Sequence, residues 1–199
     1  MTMKTAELDH SNIVAYLGNI LERRGGDSYL GEDVTMLEHM LQAALQAEDE
    51  GADDALVAAA LLHDIGHYTG EFPEELALEV NNHHDEGGAA VLAPFFPKRV
   101  VNGVANHVTA KRYLCAVEAD YFGKLSKASV RTLKFQGGVM SADEVADFES
   151  HPDFEDAVRL RRWDEGAKVA GRKTPDFQHY APLLQRLVDA NLQSAKTKG

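Results

Sequence analysis

Residues 55–67 read ALVAAALLHDIGH, an apolar run that ends in two histidines and an aspartate. Residues 55–62 are apolar on every side, which is typical of a helix at the centre of a protein core. Such a helix would deliver His63 and Asp64 into that core, where an unpaired charge is costly. Because a bound metal ion removes that cost, this stretch predicts a metal site among helices.

Apolar residues recur at helical spacing along most of the chain, and segments of β-branched residues with a period of two are absent from the sequence. We therefore predict an all-α fold. The predicted helices cover residues 33–50, 53–62, 85–95, 98–110, 111–119, a stretch opened by a capping box at Ser141 to Glu144, 153–167 and 180–192. Residues 68–82 are acidic, contain Gly70 and Pro73, and are interpreted as a loop or a mobile lid.

The chain has 199 residues, of which 44% are hydrophobic, enough for one sizeable core. We predict a single domain over residues 1–199, with its core at 28–181 and peripheral segments at 1–27 and 194–199. A net charge of -12 argues against a nucleic-acid partner. No apolar run reaches the roughly 20 residues that span a bilayer, so we expect no membrane association and a cytoplasmic protein. The single cysteine, Cys115, is interpreted as a small hydrophobic residue.

Several histidines lie on separate predicted helices, and together they favour a shared metal site. An isolated histidine such as His39 is more often a packed core residue than a ligand. The two oxygens of Asp64 can reach two cations, which suits a bridged dinuclear centre. The candidate ligands are His39, His63, Asp64, His84, His107 and Asp164. Surface or capping roles are predicted for His10, His151 and His179, and His83 is interpreted as a bystander.

The order His39, His63-Asp64, Asp164 resembles the H…HD…D signature of the HD superfamily, most of whose members are phosphohydrolases. A narrower resemblance, over residues 29–180, is to the HD-domain mixed-valent diiron oxygenases of the PhnZ/TmpB type, which cleave organophosphonates. It rests on Tyr29-Leu30-Gly31-Glu32, Leu37-Glu38-His39, residues 60–68 (ALLHDIGHY), residues 107–114 (HVTAKRYL), Gln136-Gly137-Gly138 and Trp163-Asp164-Glu165. The resemblance implies a single HD-domain helical bundle with a central dinuclear metal site.

The resemblance also implies a set of cofactors and site residues. Two iron ions, an Fe(II)/Fe(III) mixed-valent pair, would be held by His39, His63, Asp64, His84, His107, Asp164 and Tyr29. In that set Asp64 would bridge the ions, and Tyr29 would leave the second iron when substrate arrives. The substrate would be bound by Glu32, His67, Lys111, Ser129, Gln136 and Arg161.

The resemblance also implies roles for individual side chains. Glu32 would meet the cationic nitrogen of the substrate, and His67 would assist proton movement at its hydroxyl. Lys111 lies four residues after His107, so on a continuous helix its ammonium would point at a phosphonate held by the metals. Without the resemblance, Tyr29 and Glu32 would be interpreted as a helix-entry tyrosine and a solvated glutamate, and His67 could equally be a capping residue.

The implied partners are O2 and a small hydroxylated aminophosphonate. Cleavage of its carbon–phosphorus bond would give inorganic phosphate with glycine betaine or glycine, depending on whether the nitrogen is trimethylated. An acidic segment at 71–79, with Glu71, Glu74, Glu75 and Glu79, favours the trimethylated cation if it closes over the substrate; otherwise it is a solvated loop. The competing interpretations are a metal-dependent HD phosphohydrolase acting on a phosphate ester and a catalytically silent HD module. The oligomeric state stays open.

Overall fold

The apolar helix that precedes His63 lies at the centre of the fold in a computed structural model, which describes residues 8–29, 31–73 and 83–198. The predicted all-α fold is confirmed, since the described residues contain ten α-helices and one 3₁₀ helix (Ile65–Glu71) but no strand. The α-helices are α1 (Ile13–Arg24), α2 (Met36–Asp49), α3 (Asp54–Leu62), α4 (His84–Leu92), α5 (Lys98–Val117), α6 (Tyr121–Lys124), α7 (Lys127–Phe135), α8 (Ala142–Glu149), α9 (Phe154–Gly166) and α10 (Phe177–Lys198). None of these described helices has the length and apolar content needed to cross a bilayer.

Helix α3 is enclosed by other helices, in agreement with its apolar sequence. Every residue from Leu56 to Leu62 is buried, and α3 packs against α2, α5, α9 and α10. Asp53 caps its first turn by accepting a hydrogen bond from the Leu56 N–H at 3.1 Å. The helix therefore enters the core from a capped, solvated end and finishes at its centre, where His63 follows.

The neighbouring helix α2 begins three residues later than its sequence pattern predicts. The Thr35 side chain accepts from the Glu38 N–H, and the Glu38 carboxylate accepts from the Thr35 N–H at 2.7 Å. This capping box fixes the helix start at Met36, because it satisfies backbone N–H groups that would otherwise lack partners. A second capping box at Ser141 and Glu144 opens α8, as predicted.

Helix α5 is continuous from Lys98 to Val117, whereas the sequence predicts two helices that meet at residue 110. Buried side chains cross the predicted junction, including Val108, Ala110 and Leu114, and hold the helix straight through it. As a result, His107 and Lys111 lie one turn apart on the same buried face. The sequence predicts Lys111 on the same face as His107 only if the helix is continuous, and the structure meets this condition.

Helices α1 and α10 differ from the sequence predictions in position or length. Helix α1 falls within the segment 1–27 that the sequence assigns to the periphery, yet Ile13, Leu17 and Ile20 are fully buried in the main core. Helix α10 continues to Lys198, beyond its predicted end at residue 192. Residues 65–71 form a 3₁₀ helix where the sequence predicts a loop from residue 68, while residues 74–82 lie outside the described part.

Gly66 permits the 3₁₀ helix to touch the beginning of α4. A Cβ at this position would overlap the carbonyl oxygen of His84 and lie 2.7 Å from the nitrogen of Gly88. The backbones approach so closely only because Gly66 has no side chain. This contact places His67 against His84, whose rings stack with centroids 4.3 Å apart.

We expect Gly66→Ala to lower the free energy of unfolding by about 3 kcal/mol or more, since the new methyl group must displace backbone atoms of α4. Gly70→Ala is the matched control, because a Cβ there meets nothing within 4 Å in the same 3₁₀ helix. Urea unfolding followed by circular dichroism measures both variants. Equal unfolding midpoints would show that the close approach of Gly66 and α4 does not limit stability.

Candidate metal centre

Six potential metal ligands meet at the centre of the bundle, each brought there by a helix or by the turn that ends one. They are His39 on α2, His63 and Asp64 after α3, His84 at the start of α4, His107 on α5 and Asp164 on α9. The His84 side chain is 15% exposed and the other five are buried. The structure thus brings together all six predicted ligands from distant parts of the sequence.

The first cluster consists of His39, His63 and Asp164, with one oxygen of Asp64 facing it. The Nε2 atoms of the two histidines lie 3.0 Å apart, and the Oδ1 atom of Asp164 is 3.3 Å from His39 Nε2. Asp64 Oδ2 lies 3.5 Å from His39 Nε2 and 3.4 Å from His63 Nε2. Four ligand atoms therefore surround one small space.

The second cluster consists of His84, His107 and the other oxygen of Asp64. The Nε2 atoms of His84 and His107 are 3.1 Å apart and lie 3.3 Å and 3.6 Å from Asp64 Oδ1. Since Oδ1 faces this cluster and Oδ2 faces the first, the Asp64 carboxylate has the orientation of a bridging ligand.

The spacing of these atoms fits a first-row metal ion. Ligands about 2.1 Å from a common ion are about 3.0 Å apart in an octahedral arrangement and about 3.4 Å apart in a tetrahedral one. The cited separations between ligand atoms within each cluster fall in or near this range. With Asp64 counted for both, the first cluster offers two imidazoles and two carboxylates and the second offers two imidazoles and one carboxylate. Imidazole and carboxylate donors of this kind are typical of non-haem iron.

Backbone carbonyl groups select the ring nitrogen that faces the clusters. The Nδ1 atoms of His39, His63 and His107 lie 3.0, 2.8 and 2.7 Å from the carbonyl oxygens of Ala167, Ala60 and Val104, respectively. Donation from Nδ1–H to each carbonyl leaves the Nε2 lone pair directed into the site. Two such lone pairs facing each other at 3.0 Å repel unless a cation lies between them.

Two buried carboxylate oxygens also indicate that a cation belongs in the first cluster. Asp64 Oδ2 and Asp164 Oδ1 are buried and have no hydrogen-bond partner, although both face the first cluster. An unsatisfied buried acceptor is costly, and coordination of a cation satisfies it. Burial would raise the pKa of Asp64, but the neighbouring histidines hold that pKa well below its usual range. Among the described residues, these six side chains therefore form a site suited to two metal ions.

Arg161 holds the other oxygen of Asp164. Its Nη1 donates to Asp164 Oδ2, its Nη2 donates to Glu165, and its Nε donates to the Tyr121 hydroxyl at 2.8 Å. Burial favours the neutral carboxyl, but the Arg161 guanidinium keeps the pKa of Asp164 well below its usual range. Asp164 is thus oriented with Oδ1 toward the metal cluster.

A cavity of about 610 Å³ opens beside the second cluster. Its lining includes most of the side chains that the sequence assigns to metal or substrate: Tyr29, Asp64, His67, His84, His107, Lys111, Ser129, Gln136, Arg161 and Asp164. Asp64 and Asp164 are the only carboxylates among the described lining residues. The rest of the described wall is neutral or cationic, so the cavity suits an anionic ligand.

Lys111 supplies a buried cation to this cavity. Its Nζ donates to the Thr132 hydroxyl at 3.2 Å, and Thr132 in turn donates to the Ser129 carbonyl oxygen. Burial, assisted by repulsion from Arg161, lowers the pKa of Lys111 to about 8. The ammonium form therefore predominates at neutral pH and can attract an anion.

Tyr29 and His67 lie against the two metal clusters. The Tyr29 ring stacks on His39 with centroids 4.0 Å apart, and burial together with Asp64 raises the pKa of its hydroxyl well above the usual value. His67 Nε2 lies 3.8 Å from Asp64 Oδ1. Burial lowers the pKa of His67 to about 4, so its ring is neutral at pH 7.

The structure separates two predicted residues from the cavity. Glu32 is half-buried but is not among the described lining residues. Glu71 turns away and forms ion pairs with Arg23 at 2.9 Å and Arg24 at 2.7 Å on α1. Glu71 therefore anchors the 3₁₀ helix instead of closing over substrate; Glu74, Glu75 and Glu79, the other acidic residues of segment 71–79, lie outside the described residues.

Besides His67, four histidines lie outside the two clusters, and His10, for which the sequence predicts a surface or capping role, is partly buried instead. His151 accepts a hydrogen bond from the Asp153 N–H and is exposed, while His179 is exposed beside Glu48. His10 packs edge-on against Phe95. His83 is exposed at the cavity wall and takes no part in either cluster.

Two cationic residues near the cavity have no motif that distinguishes them in the sequence. Lys168 donates to the Ser129 hydroxyl at 3.2 Å and pairs with Glu165 at 3.1 Å. Because the Ser129 oxygen accepts from Lys168, its own hydroxyl hydrogen is free to be donated elsewhere. Arg131, on α7, lines the cavity directly.

Comparison with known proteins finds one family model and three relatives that are similar to this chain. The HD domain family model matches residues 36–134. The chain is 47% identical over 188 residues to a [1-hydroxy-2-(trimethylamino)ethyl]phosphonate dioxygenase (glycine-betaine-forming) of Leisingera caerulea, covering 94% of this chain and 96% of the relative. It is 50% identical over 157 residues to a hydroxymethylphosphonate dioxygenase of Gimesia maris, covering 78% of each chain. An uncharacterised mimivirus protein is 36% identical over 169 residues, covering 83% of this chain and 77% of the relative.

The two clusters predict selective loss of metal ions. After anaerobic reconstitution with Fe(II), we expect the unsubstituted protein to hold two ions, one in each cluster. His39→Ala and His107→Ala should each lose the ion of their own cluster, and Asp64→Ala should weaken both, because only Asp64 faces both clusters. Elemental analysis by mass spectrometry measures the ratio, with exposed His151→Ala as the control. Full loading of Asp64→Ala would exclude a bridging role.

Proposed function

This chain belongs to the HD-domain phosphonate dioxygenases, and we propose that it uses O2 to cleave the carbon–phosphorus bond of [1-hydroxy-2-(trimethylamino)ethyl]phosphonate, forming glycine betaine and inorganic phosphate. The observation that carries this proposal is the pair of two-histidine, one-carboxylate clusters joined by Asp64 and bordering one cationic cavity. Near full-length similarity to the Leisingera dioxygenase supports the substrate and product.

We propose two iron ions in an Fe(II)/Fe(III) pair as the resident cofactor. Each cluster provides two imidazoles, with two carboxylates at the first and one at the second when Asp64 is counted for both, and such donors suit oxygen-activating iron and leave coordination positions for a ligand. The bound irons would supply activation of O2 and oxidation of the carbon attached to phosphorus. His39, His63 and Asp164 would hold one ion, His84 and His107 the other, and Asp64 both.

The protein's own contribution begins with binding of the phosphonate. Lys111 would neutralise part of its charge, while the Ser129 hydroxyl and the Gln136 amide would fix its oxygens. Arg161 adds positive charge at the same wall, although each of its three nitrogens already donates to a protein group. We therefore assign Arg161 to holding Asp164 as well as to binding substrate. These interactions would orient the hydroxylated carbon toward the irons.

Proton movement at the substrate hydroxyl would involve His67. Its neutral ring can accept a proton, and its position beside Asp64 and His84 places it at the edge of the second cluster. Tyr29, which stacks on His39 and interacts with Asp64, would complete the second iron site before substrate binds. Displacement of Tyr29 would then open that position to the substrate.

A second candidate substrate differs from the first at the nitrogen end. Glu32 would be available to the cation only if it moved into the cavity, since it is not among the described lining residues. Hydroxymethylphosphonate, which has no ammonium group, is favoured by the 50% identity to the Gimesia dioxygenase. A phosphate-ester hydrolase is less favoured, because both relatives with an assigned activity are oxygenases.

The activity is tested by measuring oxygen consumption by the iron-loaded enzyme. We expect one O2 consumed per phosphate released from [1-hydroxy-2-(trimethylamino)ethyl]phosphonate, with glycine betaine as the carbon product and a mixed-valent signal in electron paramagnetic resonance. Hydroxymethylphosphonate is the comparison substrate. Phosphate release without O2, or hydrolysis of phosphate monoesters at comparable rates, would contradict the proposal.

The pKa of Lys111 predicts a pH dependence of kcat/KM. Its pKa of about 8 means that its positive charge is present below that pH and is lost as the pH rises through it. The value of kcat/KM should therefore decline above pH 8, because the neutral amine no longer attracts the phosphonate. Lys111→Arg should move this decline to higher pH. Lys111→Met should lower kcat/KM and remove the decline. An unchanged decline in Lys111→Met would assign it to another group.

A further inference from the structure

The basic residues of this acidic chain are unevenly distributed. Although the net charge is -12, residues 121–142 contain no aspartate or glutamate and carry four basic residues: Lys124, Lys127, Arg131 and Lys134. This stretch includes α7, whose residues form one wall of the cavity. A local excess of positive charge at a cavity entrance raises the local concentration of anions, and here it opposes repulsion by the rest of the molecule.

Arg131 differs from the other arginines in having no partner among the residues that the structure describes. All ten arginines lie in the described part of the chain, and eight of them pair with a carboxylate. A ninth, Arg159, lies over the Trp163 ring at 5.1 Å. Arg131 makes no ion pair or ring contact with any described residue. Its guanidinium therefore keeps all its donors available for a ligand.

The position of Arg131 directs this free cation toward the cavity. Ala128, Arg131, Thr132 and Phe135 follow one another at helical spacing and all line the cavity. Arg131 and Phe135 are exposed, so they lie at the rim, whereas Lys111 is buried in the interior wall. Three cations therefore lie on the lining: Arg131 is exposed at the entrance, whereas Lys111 and Arg161 are buried within.

We propose that Arg131 binds the phosphonate group at the mouth of the cavity and favours substrates with greater net negative charge. The proposal rests on the proposed function of the site. A guanidinium can donate two parallel hydrogen bonds to phosphonate oxygens, and it stays charged at every physiological pH. It binds the product phosphate in the same way, since phosphate presents the same oxygen geometry.

The net charge of the substrate determines how much Arg131 contributes. A phosphonate group carries between about one and two negative charges at neutral pH. A trimethylammonium group offsets one unit of that charge, while hydroxymethylphosphonate retains all of it. Arg131 therefore contributes more to the binding of hydroxymethylphosphonate, and it is a specificity residue at the mouth of the cavity.

The test compares Arg131→Gln with Lys134→Gln, which removes the same charge from the same helix at a position that does not line the cavity. With hydroxymethylphosphonate, we expect Arg131→Gln to lower kcat/KM by about 5- to 10-fold with kcat nearly unchanged, and to weaken its dependence on ionic strength. Lys134→Gln should change kcat/KM less than about two-fold. The loss should be smaller with the trimethylated substrate, and Arg131→Lys should restore part of the activity.

A binding measurement distinguishes this inference from the proposed activity. Titration calorimetry of the iron-loaded protein with inorganic phosphate should give a Kd about 5-fold weaker in Arg131→Gln than in Lys134→Gln. Equal effects of the two substitutions, on kcat/KM or on phosphate binding, would overturn the role of Arg131. If the unsubstituted protein consumed no O2 with either phosphonate, the proposed activity would fail, and phosphate binding alone would decide the inference.

Discussion

The fold depends on the convergence of two carboxylates and four imidazoles in a space that protein groups alone do not satisfy. Asp64 and Asp164 each direct an oxygen without a hydrogen-bond donor toward the same pair of histidine nitrogens. Cations resolve this arrangement, and in doing so they connect α2, α4, α5, α9 and the turn after α3. Because the ligands come from five places in the chain, metal binding would contribute directly to folding stability.

Residues that do not touch the metal sites hold the ligands in place. The amide of Gln42, one turn from His39 on α2, donates to the Val169 carbonyl and accepts from the Val169 N–H. This pair of bonds fixes the segment after α9, including the Ala167 carbonyl that accepts from His39 Nδ1. One face of α2 therefore carries both a ligand and the side chain that anchors its hydrogen-bond acceptor. Such buried, fully paired polar groups favour a single arrangement of the centre.

The HD arrangement of ligands by itself does not distinguish oxygenases from hydrolases, because one fold and nearly one set of ligands can serve different reactions. The features that bear on the choice are the surroundings: Tyr29 stacked on His39, and a cavity whose described lining is neutral or cationic apart from Asp64 and Asp164. The chain as a whole is acidic, whereas residues 121–142, which include α7, carry four basic residues and no acidic one. Positive charge is thus concentrated beside the metal centre, where it favours an anionic substrate.

The sequence alone determined the all-α fold, the central helix before His63 and the candidate ligands, because helical periodicity and the His-Asp pair are local patterns. The tertiary structure decided which oxygen of Asp64 faces each cluster, the continuity of α5 through residue 110, and the partner of Glu71, which is α1 and not the substrate. It also revealed Lys168 and Arg131, whose positions near the cavity no motif marks. Periodicity identifies the buried face of a helix, but the distance between two faces depends on packing among segments far apart in the chain.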